Sequence, residues 1–72
     1  MDINVVKESI KEFYSSPEYE CIVFLMDKDI IISKCLVNEM VVYYDTLKVT
    51  TENSIIYYNI SDIKIIHLSK EK

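Results

Sequence analysis

From Tyr19 to Leu68 the chain is a succession of β-forming segments cut only by short polar breaks, with one helix-like stretch in front. That order constrains the fold more than any other feature. Ile, Val, Tyr and Thr dominate the segments, which suits a pleated, half-buried surface. A helix followed by about five short strands predicts one all-β domain spanning residues 1–72. The expected architecture is a small, strongly bent, five-stranded antiparallel barrel with an N-terminal α-helix. The helix covers 3–15 and the barrel 19–68.

Residues 3–15 read as an amphipathic helix. Ile3, Val6, Ile10 and Phe13 fall at spacings of three, four and three, on one face. Lys7, Glu8, Lys11 and Glu12 lie opposite. Asp2 or Asn4 caps the start, and Ser16-Pro17 stops the helix, because the residue before proline avoids helical angles. Such a helix is expected to act as a lid on one end of the barrel.

The first strand is expected over Tyr19–Met26, followed by a turn at Asp27-Lys28-Asp29. The second runs Ile30–Val37, with Asn38-Glu39 as a break. A longer third strand runs from Met40 to about Val49, ended by the polar stretch from Thr50 to Ser54. The fourth covers Ile55–Tyr58. Asn59-Ile60-Ser61-Asp62 forms a tight connector, and Ile63–Leu68 the fifth strand. The tail Ser69–Lys72 is expected to fray. Ile30-Ile31-Ile32 and Ile55-Ile56 do not alternate as a one-sided antiparallel strand should, so both faces of these strands are expected to be covered, by the helix or by another subunit. Glycine is absent. The bend of the sheet must therefore come from bulges or from Ser33-Lys34, and tight turns must use Asp and Asn.

The chain is near the lower size limit for a self-sufficient core. With 50% hydrophobic residues it cannot hide them all, so part of its surface is expected at an interface between subunits. The net charge of −4 argues against non-specific double-stranded DNA binding, which needs basic surface. No signal peptide or membrane-spanning run is visible, and a cytoplasmic location is expected.

No catalytic or metal-binding set emerges. Cys21 and Cys35 lack a C-x-x-C pattern and only one histidine is present, so neither zinc nor any cofactor is expected. If Asp27-Lys28-Asp29 is a three-residue loop, Met26 pairs with Ile30 and Cys21 faces Cys35. Facing cysteines could form a disulfide. In a reducing compartment they stay thiols, which is the reading adopted. His67 has no matched nucleophile or carboxylate in view. Asp27 and Asp29 lack the spaced oxygen ligands and glycine of a calcium loop. Tyr43-Tyr44 and Tyr57-Tyr58 lie on neighbouring predicted strands. A turn between Thr50 and Thr51 pairs Tyr43 with Tyr58, whereas one centred nearer Glu52 separates them. Either way one tyrosine of each pair points outward, suited to base stacking or to a protein interface.

Several segments resemble the Sm-like family, and within it the Hfq-like bacterial RNA chaperones. Val23-Phe24-Leu25-Met26-Asp27 resembles the family's first strand and turn. Met40-Val41-Val42-Tyr43-Tyr44 resembles its third strand. Ile55-Ile56-Tyr57-Tyr58-Asn59-Ile60-Ser61-Asp62-Ile63-Lys64-Ile65-Ile66 resembles its last two strands with their 3₁₀ connector. The resemblance implies a bent five-stranded barrel that closes into homo-oligomeric rings, hexamers or heptamers, by pairing the fourth strand of one subunit with the fifth of the next. It also implies binding of single-stranded, uridine-rich RNA without catalysis. At the family's RNA-contact positions this chain has Tyr58-Asn59-Ile60. Tyr58 is then expected to stack on a base and Asn59 to read a base edge. Asn59 and Ile60 replace the family's polar or basic pair, and the second-strand glycine is missing, with Lys34 or a neighbour in its place. The alternative is an acidic small-barrel adaptor or regulator, phage-borne for example, that binds a protein and no RNA.

Overall fold

The computed structural model describes residues 1–70. The elements are α1 (Ile3–Ser15), β1 (Cys21–Leu25), β2 (Ile30–Ser33), β3 (Val37–Tyr43), β4 (Thr46–Thr51), β5 (Ile55–Asn59), a 3₁₀ turn (Ile60–Asp62) and β6 (Ile65–Ser69). The strands form two three-stranded antiparallel sheets, β2-β1-β6 and β3-β4-β5. The chain is therefore mostly β with one N-terminal helix. The strands number six and not five, and among the described residues neither sheet closes on itself.

The helix forms where its pattern predicts. Asp2 is the cap, its Oδ1 accepting the Asn4 N–H at 2.7 Å. Val6, Ile10 and Phe13 are buried. At the other end Ser16 is extended, with φ −105° and ψ 113°, as its place before Pro17 requires. Fully buried Val6 and Phe13 from the helix meet Ile22 and Phe24 of β1 and Leu47 of β4, so the core lies between the helix and both sheets.

The expected third strand, Met40–Val49, is instead a hairpin. β3 and β4 meet through Tyr44 and Asp45, with Tyr43 opposite Thr46. Tyr44 has a φ of 54°, in the left-handed region that glycine normally occupies. A chain without glycine sets a tyrosine there at a cost of about 1–2 kcal/mol. The Asp45 carbonyl accepts the Ile60 N–H at 2.8 Å, which ties this turn to the 3₁₀ segment.

The expected second strand, Ile30–Val37, stops at Ser33. A turn at residues 34–36 follows, and Val37 already belongs to β3. Asn38-Glu39 is not a break: it lies inside β3, where the register shifts between Val37 and Glu39. The chain thus changes direction at Ser33-Lys34 and at a bulge, the two devices open to it without glycine.

One expected pairing is corrected, and the open tyrosine register is decided. Phe24 pairs with Ile30, so Cys21 faces Ser33 and not Cys35. Tyr58 pairs with Leu47 and Tyr57 with Lys48, so β4 separates Tyr43 from Tyr58. At the C-terminal end Ser69 is part of β6 and does not fray. The last two residues of the expected tail lie outside the described residues.

Lys34 joins these parts. Its N–H donates to the Glu20 carbonyl at 2.8 Å, and its ammonium donates to the Ser16 carbonyl at 3.0 Å. The same ammonium sits 4.7 Å from the centroid of the Phe13 ring. A cation at a helix C-terminus and over an aromatic face is favourable on both counts. Lys34→Met is expected to cost about 1–2 kcal/mol, and Phe13→Leu about 1–2 kcal/mol. In urea unfolding the double variant should lose clearly less than the sum. Strictly additive losses would show that the two side chains do not act together.

Candidate binding face

The second sheet carries the sequence-predicted site residues. Leu47 and Val49 are buried. Their partners across the ladder, Tyr58 and Ile56, share their face of the sheet. Tyr57 and Asn59 are on the other, outward face. Pairing then lays two rows across that face: Val41, Lys48 and Tyr57 in one, Tyr43, Thr46 and Asn59 in the other. Residues directly opposite in such rows have Cβ atoms about 4.5–5.5 Å apart. Tyr57 is 57% exposed and Tyr43 45%. Tyr44, at the hairpin tip, is 86% exposed, and its ring meets that of Tyr43 edge-on at 6.0 Å.

The two residues marked by the family resemblance are placed differently. Tyr58 is half-buried and packs against the core, whereas Asn59 is exposed. Both line a shallow depression together with Met26, Thr46, Tyr57 and the carboxylate-bearing Asp62. Tyr43, Lys48 and Tyr57 were not singled out as a set from the sequence. A signal was there: the inward apolar positions are even before the turn (Met40, Val42) and odd after it (Leu47, Val49). Only a break between them permits that change, and it decides which tyrosines face out.

The sheets also end in open strands. β3 and β5 are the outer strands of one sheet, β2 and β6 those of the other. Ile55 is 54% exposed and Ile65 55%. Such edges present unpaired N–H and C=O groups to any strand that fits. The expected cover over both faces of β5 is absent in the single chain.

The remaining candidates carry no assembled chemistry. His67 is exposed on β6 opposite Val23. Asp27 lies 4.0 Å from the Lys64 ammonium, both side chains being exposed. Among the described residues no group of three or more metal-ligating side chains occurs, and no helix is long and apolar enough to cross a membrane. Burial, and secondly the charge of Glu39, raise the Tyr14 phenol above its ordinary value. Comparison of the chain with protein-family models, curated proteins and solved structures finds no match.

Both cysteines are free, Cys21 buried and Cys35 exposed, and each sulfur lies 4.0 Å from the Ser33 hydroxyl. A maleimide reagent is expected to label one thiol of the folded protein rapidly and the second only when urea is added. Mass spectrometry of the digest should place the first label on Cys35. Equal labelling of both in the native state would contradict the burial of Cys21.

Proposed function

We propose that the protein is a non-catalytic, Sm-like binding module that assembles with copies of itself and binds single-stranded, uridine-rich RNA. The observation that carries this reading is the sheet β3-β4-β5: its outer face bears Tyr43, Tyr57, Lys48 and Asn59, and its outer edge has no neighbour. Aromatic side chains on a sheet stack on bases at about 1–3 kcal/mol per base, and a lysine among them suits the phosphate. The strand order supports the family reading. β2 and β3 follow each other across a three-residue turn. Read as two halves of one bent strand, they give the order β6-β1-β2/β3-β4-β5, with a 3₁₀ turn between the last two strands of the chain. On this reading the chain would form a five-stranded bent barrel of the Sm-like kind. Its open edges, β5 and β6, would pair between copies in a ring, and that pairing would cover the exposed isoleucines.

One observation favours a second reading. Asp62 lines the depression beside Tyr58 and Asn59, and all eight basic residues are lysines, so no guanidinium fork is available to grip phosphate in two places. An acidic adaptor that binds a protein at the same face fits these facts.

Light scattering on a sizing column is expected to give six or seven times the mass of one chain, and Ile55→Lys, which puts a charge on the open edge, should give single chains. Oligouridine labelled for fluorescence anisotropy is expected to bind, with affinity falling as salt rises. Tyr57→Ala should weaken it roughly 5- to 100-fold, and Tyr58→Ala and Asn59→Ala test the pair marked by the family resemblance. Absence of oligouridine binding at low salt would overturn the RNA reading in favour of the adaptor. Binding that all three substitutions leave unchanged would place the RNA elsewhere on the chain.

A further inference from the structure

The strand β3 has one unpaired edge. It is an outer strand of its sheet, bonded to β4 alone. At the two ends of the β4–β5 ladder the Thr51 N–H donates to the Ser54 carbonyl and the Ile60 N–H to the Asp45 carbonyl, both at 2.8 Å. Hydrogen-bonded pairs alternate along an antiparallel ladder, so the odd-numbered residues of β4 bond toward β5 and the even-numbered ones toward β3. Thr46 and Lys48 thus bond to their partners Tyr43 and Val41. The backbone groups of Met40 and Val42 point the other way, out of the edge of the sheet.

Beside that edge about 290 Å³ lies open in a groove lined by Met40, Val41, Val42, Lys7, Ile10 and Lys11. Met40 and Val41 belong to opposite faces of the sheet. Residues of both faces line one groove only at the edge of a strand, so the free backbone groups of Met40 and Val42 border it. The helix is the other wall. It runs alongside β3: Tyr14, a turn beyond Lys11, is close enough to Glu39 to feel its charge. Lys7 and Lys11 are exposed and belong to neither ion pair of the described residues, Lys64–Asp27 and Lys70–Glu18. Glu8 and Glu12 line a different groove, with Val5 and Leu68. A chain of net charge −4 therefore presents a wall with two lysines and no carboxylate here.

We propose that this groove takes an extended acidic segment of another protein, added to β3 as a further strand with its carboxylates against Lys7 and Lys11. Backbone groups free at every second residue match an incoming strand, and the two lysines set its charge. A strand points alternate side chains to one face, so the segment carries its acidic residues at alternate positions. Nucleic acid is the poorer fit, because no aromatic ring lines the groove for a base to stack on. A second copy is poorer too: β2, β5 and β6, the other outer strands, contain no carboxylate. The site is separate from the β5 and β6 edges.

The probe is a short fluorescent peptide of alternating valine and glutamate, with alternating valine and lysine as control and oligouridine as competitor. Anisotropy is expected to show the glutamate peptide bound at low salt and weakened as salt rises, and the lysine peptide unbound. K7E/K11E should lower affinity for the glutamate peptide roughly 3- to 30-fold and gain binding of the lysine peptide, a gain that an unfolded variant would not show. Amide exchange reads the edge itself. In the chain alone the Val41 and Tyr43 amides should be protected and those of Met40 and Val42 should exchange, until the glutamate peptide slows both. A native chain that does not bind this peptide at low salt overturns the proposal, as does equal binding by K7E/K11E. Binding that leaves the Met40 and Val42 amides exchanging freely puts the peptide elsewhere and overturns it too. Oligouridine that displaces the peptide and protects the same amides would assign the groove to nucleic acid. Protection that rises with protein concentration alone would assign it to a second copy, and either result overturns the proposal.

Discussion

The fold hangs on how a chain without glycine turns from one sheet into the other. Lys34 sits at that turn. Its backbone N–H continues the pairing started by β2, reaching the Glu20 carbonyl. Its side chain reaches back to the end of α1, over Phe13 and onto the Ser16 carbonyl. One residue thereby couples the helix terminus, the largest core side chain of the helix, and the point where β2 gives way to β3. The sheets need this coupling, because no ladder links β2-β1-β6 to β3-β4-β5 among the described residues. They are held by the shared core, by the turn at Lys34, and by the 3₁₀ segment, where buried Ile60 and Ile63 sit between Asp45 of one sheet's turn and the start of β6.

The helix was legible because three independent signals agreed: a cap, an apolar stripe and a proline stop. The strands were legible as β-forming but not as countable units. The polar pair Asn38-Glu39 looks like a break yet lies in a bulge, where extra backbone length is absorbed without ending the strand. Tyr44-Asp45 looks like strand, because tyrosine is a strong β-former, yet it is the turn. Local propensity assigned both wrongly because pairing with neighbours, and not propensity, decides strand ends. The tyrosine register followed from the hairpin at Tyr44-Asp45, whereas the cysteine register shifted because Phe24, and not Met26, pairs with Ile30. The candidate face was legible only in part: Tyr58 and Asn59 were picked out by family resemblance, while Tyr43, Lys48 and Tyr57 become one surface only once the hairpin is placed.

Strain and exposure coincide at the tip of that hairpin. A bulky residue at positive φ persists only where its surroundings over-determine it. Here Asp45 is fixed by its bond to Ile60, and Tyr43 is fixed by the ladder to Thr46. The result is an aromatic side chain, Tyr44, held out in solvent beside Tyr43. Two χ angles and a rigid ring make such a side chain inexpensive to immobilise on a ligand. A flexible glycine at this position would relieve the backbone but remove the ring and loosen its neighbour.

Small size and open edges are two sides of one constraint. A chain of 72 residues that is 50% hydrophobic has too little interior for its apolar side chains. Part of the excess lies on β5 and at Ile65 of β6, and part at Ile31 of β2 and Leu36 in the turn that follows it. Pairing β5 and β6 between copies would use backbone groups and the flanks of the sheet, and would leave the outward face of Tyr43, Lys48 and Tyr57 uncovered. On the proposed reading, assembly and ligand binding would draw on different directions of the same strands: in-plane hydrogen bonds for one, out-of-plane side chains for the other. A strand can satisfy both at once because its pleat separates them.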